Sequence, residues 1–305
     1  MRTTPPPYSA LVEALTPEAG DRRYFRPVEV NGWLEVKSLG PPPRATTDWL
    51  HQCGVRVPEI GADTADGYWV EDLGDIHLCH QPSAQNYRFL LGTWQRFGLR
   101  ELPGDHPNAK LALDGELFER ELWLSCEHWL IPRLSTVDPE QLQLLCTRLA
   151  LLASAGPRAT QHRDFHSRNV LLPKEGGIAL IDHQDLRTGP VFYDLASLWT
   201  DAYLEIPPDC RALLRGSIEQ LGNDFGLSGS ELHHRFLFSA LQRVIKALGT
   251  FGKLIANGRD DYEEPAGRAM EHFRHLLDPT SLEQDGFKVG KKWQTEARAW
   301  RQLLL

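Results

Sequence analysis

A segment in the middle of the chain combines two aspartates and an asparagine at spacings that suit metal-dependent chemistry. Asp164 precedes Asn169 by five positions, and an apolar stretch begins directly after the asparagine. A second apolar stretch, 178–181, ends at Asp182. Carboxylate and amide oxygens suit Mg²⁺, and a carboxylate beside such an ion can accept the proton of an attacking hydroxyl. The pattern therefore indicates phosphoryl transfer.

A predicted hairpin brings the second aspartate to the asparagine. Residues 174–177 predict a turn between the two apolar stretches. Asn169 and Asp182 lie equally far from the middle of that turn, so a symmetric hairpin places them opposite each other at its open end. We therefore predict that Asn169 and Asp182 bind the metal ion and that Asp164 is the catalytic base.

The sequence after the second aspartate differs from that of regulated protein kinases. Those enzymes carry Asp-Phe-Gly at this point, whereas this chain has Asp182-His183-Gln184. The phenylalanine on which an activation switch is built is therefore missing, and no Ala-Pro-Glu segment follows downstream. This pattern favours a kinase of small molecules over a regulated protein kinase.

Two short segments of the N-terminal region are predicted to contact ATP. Arg22 and Arg23 belong to a turn that leads into a strand, where their guanidinium groups could reach phosphates or remain solvated. Glu71 and Leu73 belong to a short linker, whose backbone could bind adenine. We predict these four residues as nucleotide-binding, with a plain interlobe linker as the alternative for the second segment.

Lys37 is a further candidate for a phosphate contact. Asn31-Gly32 predicts a two-residue hairpin turn, and that turn places Lys37 opposite Arg26. Lys37 could then point at the same loop as the arginines and act as the phosphate-binding strand lysine. A lysine on an edge strand is the alternative.

The elements that position these residues fall into two parts. Roughly the first seventy residues are rich in strand-like runs, and the rest is mainly helical apart from an island at 169–181. Amphipathic helices are predicted at 83–99, 115–131, 139–154, 193–204, 210–221, 230–256 and 263–277. The sequence thus predicts an α+β, protein-kinase-like two-lobe fold, with a small β-rich lobe at 1–72 and a larger, mainly helical lobe at 73–305.

Composition argues against several classes of function. The net charge of -8 is unlike a broad nucleic-acid-binding surface, which is normally basic. No apolar run is long enough to span a bilayer, and the N-terminus lacks the apolar core of a signal peptide. The five cysteines are widely spaced and odd in number, which indicates reduced thiols. We expect a cytoplasmic enzyme with a small-molecule substrate and no nucleic-acid, membrane or protein partner.

Several segments together resemble the aminoglycoside-phosphotransferase and choline-kinase superfamily. They are 21–26, 71–75, 162–169, 181–185, 189–195, 201–203 and 241–251. Within the superfamily the chain is most similar to the bacterial kinases that phosphorylate N-acetylmuramic acid and N-acetylglucosamine at the anomeric hydroxyl. The resemblance implies ATP and Mg²⁺ as cofactors, with Asp164 as base and Asn169 and Asp182 as metal ligands. His183 is a departure, since the family usually has phenylalanine there.

The acceptor site is predicted indirectly. Asp194, Asp201 and Tyr203 follow the predicted metal ligands, at the point where a substrate would enter. Glu121 lies on a helix that could form the opposite wall. We predict these four as sugar-binding residues, although Asp194 could instead cap its helix or tie down the catalytic loop.

The sequence leaves more than one acceptor open. Arg243 and Lys246 lie one helical turn apart and could bind an acidic substituent or face solvent. We predict phosphorylation of the anomeric hydroxyl of a free amino sugar. The alternatives are another acceptor, such as an aminoglycoside, choline or a related amino alcohol, and a catalytically silent nucleotide-binding scaffold. The intact set of Asp164, Asn169 and Asp182 argues against the scaffold.

Overall fold

The N-terminal part of the molecule is a five-stranded antiparallel sheet. The structure is a computed structural model and describes residues 12–15, 22–27, 32–134 and 138–303. The strands are β1 (Val12–Ala14), β2 (Arg23–Pro27), β3 (Trp33–Lys37), β4 (Ile60–Asp63) and β5 (Gly67–Glu71). Their spatial order is β1-β2-β3-β5-β4, so β1 and β4 form the edges.

The β2–β3 hairpin differs from the prediction in its register. Lys37 pairs with Arg23 rather than with Arg26. This register is shifted by three residues from the predicted one, and an odd shift places Arg26 and Lys37 on opposite faces of the sheet. The predicted register is therefore wrong, and the first residue of the predicted Asn-Gly turn lies outside the described residues.

Helix α1 (Arg44–Gln52) joins β3 to β4 and packs against the helical part of the chain. Its side chains Trp49 and Leu50 are buried in the same apolar core as residues of the C-terminal helices. The sheet and the helical part are thus bridged by an element that precedes the predicted boundary at residue 72, and that boundary stays a prediction.

Residues 72–75, which we call the connector, lead from β5 into the helical part. Arg26 of β2 holds the connector through ion pairs to Asp72 and Asp75, with shortest distances of 2.6 and 2.7 Å. Hydrogen bonds from Arg26 also lower the pKa of Asp75, so the pair remains ionised.

The remaining described residues are mainly helical, as predicted. The helices are α2 (Ala84–Gly98), α3 (Gly115–Ser125), α4 (Pro139–Ser154), α5 (Tyr193–Trp199), α6 (Pro208–Asp224), α7 (Gly229–Ala256), α8 (Glu263–Leu277), α9 (Pro279–Gln284) and α10 (Lys291–Gln302). Two strand pairs interrupt them: β6 (Arg158–Gln161) with β9 (Arg187–Pro190), and β7 (Val170–Leu171) with β8 (Ala179–Leu180). The predicted fold class is confirmed. Within the described residues, no helix has the length and apolar character needed to cross a membrane.

The C-terminal tail belongs to the core of the helical part. Trp293 and Trp300 of α10 are fully buried. Glu296, between them, is also buried, where it accepts a hydrogen bond from Trp300 Nε1 at 2.9 Å and pairs with Arg148 of α4 at 2.7 Å. The tail therefore contributes to packing, a role that its sequence alone did not indicate.

Candidate active site

The loop at 162–169, which we call the catalytic loop, joins β6 to the β7–β8 hairpin. Asp194, at the start of α5, accepts hydrogen bonds from the backbone N–H groups of His162 and Arg163 at 2.6 and 3.0 Å, and from Trp94 Nε1 at 3.1 Å. These bonds hold Arg163 at a φ of 81°, which residues other than glycine rarely adopt. Burial raises the pKa of Asp194 to about 6 in spite of its donors. Asp194 therefore anchors the backbone of the catalytic loop, which was the alternative prediction. Its carboxylate is occupied by these donors, contrary to the predicted sugar contact.

Two cations from α7 lie against the carboxylate of Asp164. Lys246 Nζ is 3.0 Å and Arg243 Nη1 is 3.3 Å from Asp164 Oδ1. Burial by itself would raise the pKa of Asp164, but the positive charges of Lys246, Arg243 and Arg163 outweigh it and hold this pKa well below its ordinary value. The side chain remains 31% exposed. Asp164 is therefore an ionised carboxylate that a ligand in the adjoining cavity can reach.

Glu121 of α3 lies behind these cations. Its carboxylate accepts hydrogen bonds from Arg163 Nη2 and Gln242 Nε2, both at 3.1 Å, and is 3.9 Å from Lys246 Nζ. Burial would raise the pKa of Glu121, but Lys246 and Arg163 keep it below its ordinary value. Glu121 balances the charge of the cations and does not line the cavity beside the catalytic loop, contrary to the predicted sugar contact.

The β7–β8 hairpin differs from the prediction by one residue in register. Val170 pairs with Leu180, and Ile181 N donates a hydrogen bond to Asn169 O at 3.0 Å. Asn169 is thus opposite Ile181 rather than Asp182, so the predicted pairing is wrong. Asp182 follows with a φ of 59°, a left-handed conformation that turns the chain out of the ladder.

The oxygen atoms of this hairpin nevertheless fit a hard divalent cation. Asn169 Nδ2 donates to the backbone oxygen of Asp164 at 2.8 Å, which directs the amide oxygen away from that bond. Asp182 supplies a carboxylate in the adjoining cleft. Mg²⁺ takes few protein ligands and keeps water and substrate phosphates in its shell. Within the described part of the chain, no group of three or more His, Cys, Asp or Glu side chains could hold a metal ion.

A cleft of about 440 Å³ lies between the sheet and the β7–β8 hairpin. Its apolar lining comprises Leu34, Val36, Ile60, Tyr68 and Val70 from the sheet region, with Leu73, Leu171 and Ile181 from the connector and the hairpin. Arg22 and Asp182 line the same cleft and are bridged by Gln184, which accepts from Arg22 Nη1 at 2.6 Å and donates to Asp182 Oδ1 at 2.7 Å. An apolar slot with a cation and a carboxylate suits an adenine nucleotide.

The remaining predicted nucleotide-binding residues lie on different faces of the sheet. Glu71 lines the cleft, but its charge is already balanced by Arg56 at 2.5 Å. Arg23 and Lys37 pair across β2 and β3 and do not line the cleft, because alternate side chains of a strand point to opposite faces. Lys37 is 43% exposed and lies 3.5 Å from Asp66. These positions contradict the phosphate contacts predicted for Arg23 and Lys37.

A second cavity, of about 70 Å³, opens beside Asp164 and is called the acceptor pocket here. Its lining includes Asp164, His166, Asp201, Tyr203, Arg243, Lys246, Thr250 and Phe251. Asp201 accepts hydrogen bonds from the backbone N–H groups of Ser167 and Tyr203 at 2.6 and 2.9 Å, so it shapes the wall. Tyr203 supplies an aromatic face, and the Arg168 guanidinium lies 4.7 Å from its ring centre. Two of the four predicted sugar-binding residues, Asp201 and Tyr203, therefore lie in this pocket.

Part of the wall of the acceptor pocket was not predicted from the sequence. His166, Thr250 and Phe251 were not predicted, and Arg243 and Lys246 were left between an acidic substituent and solvent. A signal was present, because 243, 246 and 250 are polar residues at helical spacing in the mainly apolar stretch 236–252. Burial lowers the pKa of His166 to about 3, so this side chain is neutral in the pocket.

Known proteins share these features. Residues 41–228 match the model described as "Phosphotransferase enzyme family". The N-acetylmuramate/N-acetylglucosamine kinase of Neisseria meningitidis serogroup B is 31% identical over 292 residues, covering 85% of this chain and 83% of that protein. The protein of the same name from Pseudomonas aeruginosa is 28% identical over 291 residues, covering 88% and 83%.

The fold is also found in solved structures. A choline/ethanolamine kinase family protein from Mesorhizobium loti superposes with a TM-score of 0.57 at 13% identity, covering 97% of this chain and 94% of that one. The family model spans more than half of the chain, and the neisserial relative is similar over most of its length. The chain therefore belongs to the phosphotransferase enzyme family, in agreement with the resemblance seen in its sequence, and is a small-molecule kinase.

Proposed function

We propose that this kinase uses ATP and Mg²⁺ to phosphorylate the anomeric hydroxyl of a free amino sugar in the cytoplasm. The sugar is N-acetylglucosamine, N-acetylmuramate or a close analogue. The apolar cleft with Arg22 supports the nucleotide, and the acceptor pocket beside Asp164 supports a small acceptor. The activity printed in the names of the two bacterial relatives supports the choice of sugar.

Residues of the cleft, the β7–β8 hairpin and the catalytic loop have separate roles in the proposed reaction. The apolar cleft holds the base of the nucleotide, and Arg22 binds its phosphates. Asn169 and Asp182 would hold Mg²⁺, which neutralises phosphate charge when bound. Asp164 orients the acceptor hydroxyl and accepts its proton. Because the pKa of Asp164 is held low, this carboxylate is a weak base, and the proton moves late in a loose transition state.

The observation that carries the choice of acceptor is the similarity, over more than four fifths of each chain, to two kinases named for these amino sugars. Lys246 and Arg243 lie 3.0 and 3.3 Å from Asp164 Oδ1, where they could also bind an acidic substituent of the sugar. Tyr203 is also poorly placed to bind a quaternary ammonium, because the Arg168 guanidinium lies over its ring.

The test supplies ATP and Mg²⁺ with N-acetylglucosamine, N-acetylmuramate, choline or a kanamycin-type aminoglycoside, and measures ADP release. We expect turnover of at least one amino sugar, and phosphorus NMR should locate the new phosphate on the anomeric oxygen. Turnover of choline or the aminoglycoside, with none of either sugar, would transfer the assignment to a cationic acceptor.

The methyl glycoside of each accepted sugar tests which hydroxyl reacts. Methylation removes the anomeric nucleophile, so we expect the glycoside to bind without being phosphorylated. Equal turnover of the sugar and its methyl glycoside would show that another hydroxyl is the acceptor.

A further inference from the structure

The residue after Asp182 reaches helix α1. His183 Nε2 and Thr47 Oγ1 are 2.7 Å apart, and both residues are buried, with 6% and 2% of their surface exposed. The other ring nitrogen, His183 Nδ1, is buried without a hydrogen-bond partner in the described part of the chain. A hydrogen bond between buried groups is costly to lose, because the freed groups find no water. The imidazole is therefore held at α1 by its bond to Thr47.

Other bonds fix the backbone on both sides of Asp182. The His162 ring bonds the backbone oxygen of Ile181 at 3.0 Å. Asn108 Nδ2 donates to the backbone oxygen of Gln184 at 2.7 Å. These contacts tie the segment to the catalytic loop and to the residues between α2 and α3. The bond described above adds α1, which lies between strands β3 and β4 of the sheet in the chain.

Protein kinases need a contact between a helix and the catalytic centre for activity. In protein kinases, an ion pair between a strand lysine and a helix glutamate must be in place for activity. Here Lys37 lies outside the cleft, and Asp48 of α1 is exposed. We propose that the hydrogen bond between Thr47 and His183 couples α1 to Asp182 in this chain, so both are positioning residues for the metal ion. The proposal rests on the metal role given to Asp182 above.

The test uses two neighbouring threonines of α1. Thr47→Val removes the hydroxyl that bonds His183. Thr46→Val is the matched control, because Thr46 is similarly buried, at 3% exposed, and its hydroxyl donates to Pro43 O at the start of the same helix. The probe is Mn²⁺ in the presence of ADP, with free Mn²⁺ counted by electron paramagnetic resonance.

We expect Thr47→Val to raise the Mn²⁺ dissociation constant about fivefold, the size of one hydrogen bond, and Thr46→Val to leave it unchanged. The Mg²⁺ concentration for half-maximal turnover should rise in parallel, with an unchanged KM for the acceptor. His183→Phe should give the same shift. Combining it with Thr47→Val should add nothing, because the bond is lost only once.

Two results would overturn the coupling: equal Mn²⁺ dissociation constants for Thr47→Val and Thr46→Val, or additive shifts in the double variant. If Thr47→Val does not fold, judged by its Tm, the comparison of His183→Phe with Thr46→Val gives the same answer. Asp182→Asn separates this inference from the proposed function. Normal Mn²⁺ binding by Asp182→Asn would refute the metal role itself, whereas weak binding beside a normal Thr47→Val would refute the coupling alone.

Discussion

The two cavities near the catalytic loop differ in size and in the chemistry of their walls. The cleft measures about 440 Å³, and its walls combine apolar side chains of the sheet, the connector and the β7–β8 hairpin with charged ones such as Arg22, Arg168 and Asp182. The acceptor pocket measures about 70 Å³, and charged and aromatic side chains from the catalytic loop, the 197–203 region and α7 line it. Burial of apolar surface favours binding without a strong preference for one ligand, whereas charged groups favour ligands of complementary charge. The larger cleft thus offers apolar surface together with its charges, whereas the small pocket places two cations directly against Asp164.

Asp164→Asn should disable the acceptor side alone and give the largest effect. The change removes the proton acceptor and keeps its shape, so turnover should fall by about two to four powers of ten. Calorimetry should show unchanged ADP affinity. Asp185→Asn is the control, because Asp185 pairs with Arg163 at 2.9 Å yet lines neither cavity, and its loss of turnover should be much smaller. Turnover close to wild type in folded Asp164→Asn would contradict the mechanism.

Asn169→Ala and Asp182→Ala should weaken Mg²⁺ binding at the proposed metal site. Each removes one oxygen from the proposed metal site, so the Mg²⁺ concentration for half-maximal turnover should rise about ten- to a hundredfold. A magnesium titration of steady-state turnover measures this shift. Chelation should abolish turnover of the wild type, and added Mg²⁺ should restore it. Unchanged titrations in both variants would remove the hairpin from the metal site.

Lys246→Met tests how much the positive charge beside Asp164 contributes to turnover of the acceptor. We expect kcat/KM for the amino sugar to fall about tenfold, the effect of losing one charged hydrogen bond to Asp164, with an unchanged KM for ATP. Lys253→Met, at an exposed position of the same helix, should leave both constants near wild type. If the KM for ATP in Lys246→Met rose by the same factor by which kcat/KM for the amino sugar fell, the two cavities would not be separate in function.

Arg22→Ala and Lys37→Ala compare the two faces of the sheet and should give the smallest effects. Arg22 lines the cleft, so its removal should raise the KM for ATP about fivefold. Lys37 pairs with the exposed Asp66 on the other face, so its removal should change the KM by less than about twofold. The reverse order of the two KM values would show that the strand register differs in solution.

The sequence allowed prediction of the residues that lie close together along the chain. Asp164, Asn169 and Asp182 belong to one loop and one hairpin, so their spacing was informative. Their register was off by one residue, because the turn is centred on Glu175 rather than between Glu175 and Gly176, as the pairing of Val170 with Leu180 shows. Lys37 was misplaced because the register of β2 against β3 is shifted by three residues from the predicted one, which the sequence of either strand does not reveal.

Roles that depend on distant contacts could not be predicted. Lys246 is 82 residues from Asp164 in sequence, and its place beside the carboxylate follows from the packing of α7. Asp194 and Glu121 were recognised as important acids, but their carboxylates bind the protein's own donors. Whether a buried acid meets a ligand or a backbone N–H is decided by tertiary structure, which spacing does not encode.

The ion pairs between Arg26 and the connector should make nucleotide release depend on ionic strength. Swinging the sheet away from the helical part about residues 72–75 would pull Arg26 from Asp72 and Asp75. The Asp75 side chain is well exposed, so dissolved ions screen this pair more strongly than the one with Asp72. The rate of ADP dissociation in stopped-flow measurements should therefore increase with salt concentration, and Arg26→Gln should release ADP faster at low salt and lose most of that dependence.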